Sequence, residues 1–561
     1  MTLTRRHLLT AAGVAASAAL IPGVANAAGT RPGRPSPQSV VDAMQPGWNL
    51  GNTFDSTGAD ETSWGNPRVT RELIRAVKGN GFNSIRIPVT WVQHLDAANV
   101  VDPAYLARVQ EVVGWALAEG LYVLINVHHD SWQWVMTMPT DHDAVLARFT
   151  AIWTQVAQAF RDASPRLLFE SVNEPFFNGS SGDAQNAQLI AELNTTFHQV
   201  VRASGGPNAT RLLVLPTLHT SPDQPRVDEL TATLAALNDP NLVATVHFYG
   251  FWPFSVNIAG FTRFDATVQQ DLTDIFDRVH DAYVAKGIPV IIGEYGLLGF
   301  DRSLNVIEQG EKLKFFEFLG YYARQQRITT MWWDNGQHLN RTTFQWSDPE
   351  LIAQIKSSWC VRSATAATDL VFVGKSAPVA DQTVTLNLNG AKLTGIFDGG
   401  KRLAPGRDYV LSGEQLTFPA ATLARLAGDR AYGVNAVLSA RFDRGVPWKF
   451  RLITNDLPVL QDATGTTNAF KLPAAFNGDL LATMEAKYAD GSFAGPQNWT
   501  SYKEFAITFS PDYAAGTIAL TEAFFTEVTD GAPVTLTFHF WSGATVQYTV
   551  VRSGGVVTGT A

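Results

Sequence analysis

A single cysteine, Cys360, stands in a chain of 561 residues. No intrachain disulfide is possible, so the fold must be stable without bridges, and a lone thiol of this kind reads as a small buried hydrophobe. Basic residues are also scarce: 42 Lys and Arg face 51 Asp and Glu, with no run of them long enough to form a phosphate-binding stripe. Nucleic acid is thereby excluded as a partner. No apolar run approaches the roughly 20 residues that cross a bilayer, so no membrane partner is expected. With 45% hydrophobic and 17% charged residues, the composition excludes disorder, collagen, coiled coil and an acidic tail. A monomer without cofactor or metal is expected.

At the N-terminus, Thr4-Arg5-Arg6-His7-Leu8-Leu9 precedes a weakly apolar stretch that ends at Ala25-Asn26-Ala27. That pattern predicts a twin-arginine signal over residues 1–27 and a secreted, extracellular protein exported already folded. The alternative, a membrane helix, fails on length, because the stretch runs only about fifteen residues and is broken by Gly13 and Pro22. Residues 28–38, rich in Pro, Gly, Arg and Ser, read as an extended tether, with order beginning near Ser39.

Over residues 39–362, eight apolar, β-branched runs recur: Gly47–Asn52, Phe82–Pro88, Leu121–Val127, Arg166–Val172, Arg211–Thr217, Leu242–Phe248, Ile288–Glu294 and Ile328–Asp334. Amphipathic stretches such as Arg71–Gly79, Ala104–Glu119, Asp143–Ala163 and Gln309–Gln326 lie between them. Strands apolar on both faces and separated by helices predict an α/β fold, a (β/α)8 TIM barrel. Beyond Arg362 the texture changes to short alternating strands with Gly and Asn turns. Two all-β sandwich-like modules are predicted, an immunoglobulin-like one over 363–455 and a second, aromatic-rich one over 456–561. Lys503–Phe509 is among the expected strands of the last module.

Active sites of such barrels lie at the C-terminal strand ends. The polar residues found there include Arg86 on strand two, Asn126-Val127-His128-His129-Asp130 after strand three, and Asn173-Glu174 after strand four. Strand six gives His247-Phe248-Tyr249, strand seven Glu294, and strand eight Trp332-Trp333-Asp334. Glu174 and Glu294 would face each other across the barrel mouth. Paired carboxylates are what glycosidic hydrolysis needs, one giving a proton to the leaving oxygen and the other attacking the anomeric carbon or directing water to it. A separation of about 5–5.5 Å means retention and about 6.5–9.5 Å inversion. The sequence leaves that choice open.

The segments GWNLGNTFD (Gly47–Asp55), SWGNP (Ser63–Pro67), GFNSIRIPVTW (Gly81–Trp91), NVHHD, VNEP, HFY, IIGEYG and WWDNG occur in order. Together they resemble glycoside hydrolase family 5, of the subfamily 4 cellulase and xyloglucanase type, over the whole of 39–362. The resemblance implies a retaining endo-β-1,4-glucanase with Glu174 as acid/base and Glu294 as nucleophile. It further implies Arg86, His128, Asn173, His247, Tyr249 and Trp333 as the surrounding set, and a β-glucan as the polysaccharide partner. Asn173 would bond the sugar 2-hydroxyl, Arg86 and Tyr249 would flank the nucleophile, and Trp333 would offer a flat face to a pyranose ring. Asn52, Trp64, His129, Trp132 and Trp252 would line more distant subsites.

Blander readings stand beside these. Any one Arg or Glu at a strand end is as readily a structural ion pair. His128, His129 and Asp130 with His247 match the ligand types of a barrel metallohydrolase. Adjacent strand residues point to opposite sides, so His128 and His129 both reach the mouth only if the strand has ended, and one of Trp332 and Trp333 should be packing. A mannanase and a non-catalytic polysaccharide-binding barrel are the other rivals.

The segment 369–455 resembles the X modules that accompany cellulases and reads as a spacer. The last module resembles carbohydrate-binding module family 46. There Trp499 and Tyr502 sit in a Gly/Pro/Asn-rich loop suited to a sugar platform, whereas Phe538 and Phe540 share one strand face and Trp541 the other. The resemblance implies that this module folds back to complete the cleft, which would favour xyloglucan or mixed-linkage glucan beside cellulose.

Overall fold

A computed structural model describes residues 35–561; the expected export signal and most of the tether lie outside the described residues. Eight strands close in sequence order into a parallel barrel. They are β1 (Gly47–Asn49), β2 (Ser84–Ile87), β3 (Tyr122–Asn126), β4 (Leu167–Glu170), β5 (Leu213–Pro216), β6 (Leu242–Phe248), β7 (Val290–Tyr295) and β8 (Thr329–Trp332). The ring shuts where Gly47 and Trp48 pair with Met331 and Trp332. Most strands are shorter than the apolar runs that predict them, because the outer residues leave the ladder to build the loops.

Helices cover the barrel with one apolar stripe each. In Arg71–Gly79, Thr70 caps the first turn by accepting from the Leu73 N–H, and Leu73, Ile74 and Val77 face inward. The lower end of the barrel is plugged. Helix Pro37–Met44, which starts ahead of the expected Ser39, presses Val41 and Met44 onto Leu124, Leu168, Val214, Val243, Ile291 and Met331, one from each strand β3 to β8. On β1 the matching position must be glycine, since a Cβ on Gly47 would lie 2.6 Å from Met331 Cγ. With an apolar floor at one end, polar side chains collect at the other.

Behind the barrel come two pairs of sheets. In the first pair, Gly433–Phe442 and Trp448–Asn455 centre a five-stranded sheet, and Phe450 meets Phe418 of the four-stranded sheet edge to face at 5.6 Å. In the second, Leu481–Tyr488 is the edge strand beside Pro533–Phe540 and Thr545–Ser553 in a five-stranded sheet that buries Met484, Leu536, Phe538 and Val550. Both pairs dock on the barrel. Arg451 reaches Glu350 at 2.8 Å, and Asn257, past β6, donates to Ala482 O and accepts from the Phe505 N–H.

Two expectations are corrected. Cys360 is exposed, because it lies just beyond the end of helix Pro349–Ser358, in a turn closed by its own N–H on Ser357 O. Lys503–Phe509 is not a strand: the chain turns at Ala506 (φ 61°), whose N–H bonds Phe509 O, and the strand begins only at Phe509. No helix among the described residues is long and apolar enough to cross a membrane.

Candidate active site

Arg86, fully buried at the end of β2, organises the mouth of the barrel. Its Nη1 donates to Glu294 Oε1 at 2.6 Å and to Asn49 Oδ1 at 3.0 Å, its Nη2 to Asn173 Oδ1 at 2.7 Å, and its Nε to Glu170 Oε2 at 2.8 Å. On the other side of Glu294, the Tyr249 hydroxyl donates to Oε2 at 2.6 Å. The imidazole of His247 stands between the two glutamates, Nδ1 being 2.8 Å from Glu174 Oε1 and 3.6 Å from Glu294 Oε2. One carboxylate oxygen of Glu174, one of Glu294 and a ring nitrogen of His247 all lie within 4.8 Å of one another.

The chain reaches this arrangement by two local departures from regularity. Between β6 and β7 the register slips, so that Val246 pairs with Ile292 but His247 pairs with Glu294, leaving Gly293 as a bulge. The bulge turns Glu294 toward His247. Glycine leaves the room this needs, since a Cβ there would crowd His247 Nε2 at 3.1 Å and Thr245 Oγ1 at 3.0 Å. Glu174 takes a left-handed backbone, φ 40°, just past β4, held by the Asn173 N–H on Val127 O and the His219 N–H on Pro175 O. A conformation of that kind costs on the order of 1–3 kcal/mol and persists where neighbours impose it.

Electrostatics follow from the same contacts. Burial pushes the Glu294 carboxyl up, but His247, Arg86 and the Tyr249 hydroxyl outweigh it and hold the group below the usual carboxylate value. Burial pushes His247 down, and the two glutamates more than reverse it, raising its pKa. The imidazoles after β3 behave differently: burial takes His128 well below its ordinary value and His129 down to about 4. Asp55, beside His129, is pushed up to about 7 by burial, although the N–H groups of Thr53 and Asn52 oppose the shift.

His128 and His129 both lie beyond β3, which ends at Asn126, and their rings meet at 4.4 Å. Asn126 is pinned by the Val89 N–H on its Oδ1, and its amide nitrogen faces Glu170 at 2.8 Å and His128 Nδ1 at 3.1 Å. An amide N–H leaves Nδ1 as acceptor, so the His128 proton sits on Nε2. Asp55, His128 and His129 offer ligand atoms within 4.8 Å of one another. Those donors nonetheless suit a metal poorly: His128 Nε2 holds its proton, and the Asp55 oxygens take the N–H groups of Asn52 and Thr53. Asp130, expected in such a cluster, instead accepts from Trp91, Val92 and Trp134.

Of the paired tryptophans, Trp332 is buried against Phe316 and Trp346, while Trp333 is half-buried and lies parallel to the His128 ring at 6.1 Å. Its space is left by Gly51, where a Cβ would touch the indole at 2.9 Å. Away from the glutamates, Trp64 and Trp132 flank His129 at 5.1 and 4.1 Å, and Asn52 caps the same loop through Asn66. On the opposite side Trp252, 43% exposed, meets Trp499 of the last module, 54% exposed, with ring centroids 6.0 Å apart. Thus a residue more than two hundred positions along the chain joins the barrel loops.

A family model described as cellulase, glycosyl hydrolase family 5, matches residues 49–339. The chain belongs to glycosyl hydrolase family 5. Behind the family 5 barrel it carries a carbohydrate-binding domain X2, matched over 365–452, and a family 46 carbohydrate-binding domain, matched over 456–560. Endoglucanase B of Paenibacillus lautus is 56% identical over 529 residues, 93% of each chain. Among solved structures, the full-length trimodular endo-β-1,4-glucanase B of Bacillus halodurans is 52% identical, covering 94% of this chain and 99% of that one, with a TM-score of 0.92. A trimodular subfamily 4 endo-β-1,4-glucanase of Bacillus licheniformis complexed with cellotetraose is 32% identical over 91% of this chain and 99% of that one, TM-score 0.79.

Within this family 5 site, the sequence reading gave no role to Asn49, Asp55, Asn126, Glu170 and Asp334. Asp334 stood at a strand end, where its carboxylate gathers the Trp48 indole and the N–H groups of Gly336, His338 and Leu339. The others are polar positions within or beside apolar runs, and only that mismatch of character signals them.

Proposed function

We propose that the protein is a secreted, retaining endo-β-1,4-glucanase that hydrolyses cellulose-type, mixed-linkage or xyloglucan chains by double displacement. The observation that carries the reading is the approach of the Glu174 and Glu294 oxygens to within 4.8 Å. That closeness suits the covalent intermediate of a retaining pair, whose carboxyl groups stand about 5–5.5 Å apart, better than the wider spacing of inversion. Glu294, kept ionised by Arg86, His247 and Tyr249, attacks the anomeric carbon while Glu174 gives its proton to the departing oxygen. Glu174, now a carboxylate, takes a proton from water as the water oxygen attacks the same carbon, and Glu294 leaves with its original charge. Asn173, its carbonyl held by Arg86, has amide hydrogens for the sugar 2-hydroxyl, and Trp333 offers a ring face.

Support for an extended glucan comes from the aromatic groups on both sides of the glutamates, Trp64 with Trp132 and Trp252 with Trp499, and from relatives named as endoglucanases. The expected export signal supports an extracellular site of action. The mechanism is tested by Glu174→Ala and Glu294→Ala on an aryl cellobioside with a good leaving group. Glu174→Ala is expected to form the intermediate and to turn over faster with azide, giving the β-cellobiosyl azide; Glu294→Ala is expected to be inactive. Absence of azide acceleration in Glu174→Ala would remove that residue from the acid/base role.

A further inference from the structure

Glu170 ends β4 with its side chain wholly buried, and none of the steps above uses it. Both of its hydrogen bonds fall on one oxygen: Oε2 accepts from Arg86 Nε and from Asn126 Nδ2, each at 2.8 Å, while Oε1 has no protein partner. Arg86 therefore divides its guanidinium between two buried carboxylates, Glu170 and Glu294, with Asn173 on the remaining arm. Asn126 in turn connects Glu170 to His128. A buried carboxylate is costly unless it is paired, and Arg86 already has a partner in Glu294, so packing alone does not account for the second charge. A guanidinium paired with Glu294 alone would draw more strongly on that carboxylate and leave it a poorer nucleophile.

We propose that Glu170 is a positioning residue: it shares the Arg86 guanidinium with Glu294, so that the nucleophile keeps its electron density, and through Asn126 it fixes the ring of His128. The proposal rests on the reading of Glu294 as nucleophile. The charged and titratable groups that act on Glu294 are Arg86 from β2, His129 after β3, Glu174 after β4, and His247 and Tyr249 from β6 and its end, with Asp55 and Asp301 farther off. None of these changes in the variants below.

The test is covalent trapping of the full-length enzyme by 2,4-dinitrophenyl 2-deoxy-2-fluoro-β-cellobioside, with the trapping rate followed against pH and the labelled peptide identified by mass spectrometry. Glu170→Gln can place its amide oxygen where Oε2 now sits, keeping both bonds and removing only the charge. Trapping in Glu170→Gln is expected to slow about tenfold or more, and its acidic limb to move down by about half a unit to one unit, because Arg86 then acts on Glu294 undivided. Glu170→Asp keeps the charge but withdraws it, and is expected to slow trapping less than Glu170→Gln, with a smaller downward move of the limb. A Glu170→Gln rate within about twofold of the parent, or a slower rate with an unmoved limb, overturns the proposal. If Glu170→Gln is not recovered folded, Glu170→Asp decides: trapping that is not slowed, or that is slowed with an unmoved or raised limb, overturns it. A label on any residue other than Glu294 sinks the nucleophile reading instead.

Discussion

Tyr249 donates its hydroxyl proton to Glu294 Oε2 at 2.6 Å, a bond that favours the ionised carboxylate and helps to hold its pKa down. Hydrogen bonds to charged groups are worth about 1.5–3 kcal/mol, and about 1.4 kcal/mol is tenfold in rate. Tyr249→Phe is therefore expected to lower kcat/KM on an aryl cellobioside by about tenfold to a hundredfold. The sign of the pH effect follows from the depressed carboxyl. With one favourable contact to the anion removed, Glu294 takes up its proton at higher pH, so the acidic limb of kcat/KM should move upward, opposite to the direction expected for Glu170→Gln. An unmoved limb in the phenylalanine variant would detach Tyr249 from the nucleophile. At this scale the sequence was most readable where a charged or aromatic residue ends an apolar run, as with Arg86, Glu294 and His247. Asn126, though noted at a strand end, and Glu170 and Asn49 were given no role, because period-two patterning does not reveal that a polar strand residue has a buried partner from another strand.

Helix Gln309–Gln325 opens on Glu308, which accepts the Glu311 N–H at 3.3 Å and lies against Asp369, next to strand Leu370–Gly374 of the X2 domain. Burial and the neighbouring Asp369 push Glu308 up to about 8, and burial also raises Asp369 despite Arg451. Lys312, Asp348, Glu350 and Lys449 also belong to this junction. Because the folded-state value of Glu308 exceeds its unfolded one, folding takes up a proton, and stability is lost as pH rises from the unfolded value through about 8. Calorimetry should show Tm falling more between pH 6 and 9 in the parent than in Glu308→Gln, which is neutral throughout; equal falls would contradict the shared junction. Elements in the barrel were legible because each strand–helix unit repeats one pattern, and helix Arg71–Gly79 matches its predicted bounds. Those of the modules were less so: Leu370–Gly374 pairs in parallel with Trp448–Asn455, a partner far along the chain, and the Phe505–Phe509 turn mimics a strand in composition.

Taken whole, the molecule brings a family 46 domain beside the barrel mouth, with Trp499 against Trp252 and Arg263 stacked on Trp541 at 4.8 Å. An exposed indole pair of this kind leaves flat apolar faces open to solvent, which suits a sugar platform better than a core contact. Trp499→Ala in the full chain is expected to raise KM on xyloglucan and mixed-linkage glucan several-fold while leaving an aryl cellobioside nearly unchanged, an effect of roughly 1 kcal/mol. Equal loss on both substrates would place Trp499 in folding rather than in binding.

The double displacement itself is tested most directly by proton NMR of the first products released from a soluble β-glucan, read before mutarotation mixes the anomers. The β-anomer is expected to appear first, as retention across carboxylate oxygens within 4.8 Å of one another requires. Initial release of the α-anomer would contradict the covalent role of Glu294 and the mechanism built on it.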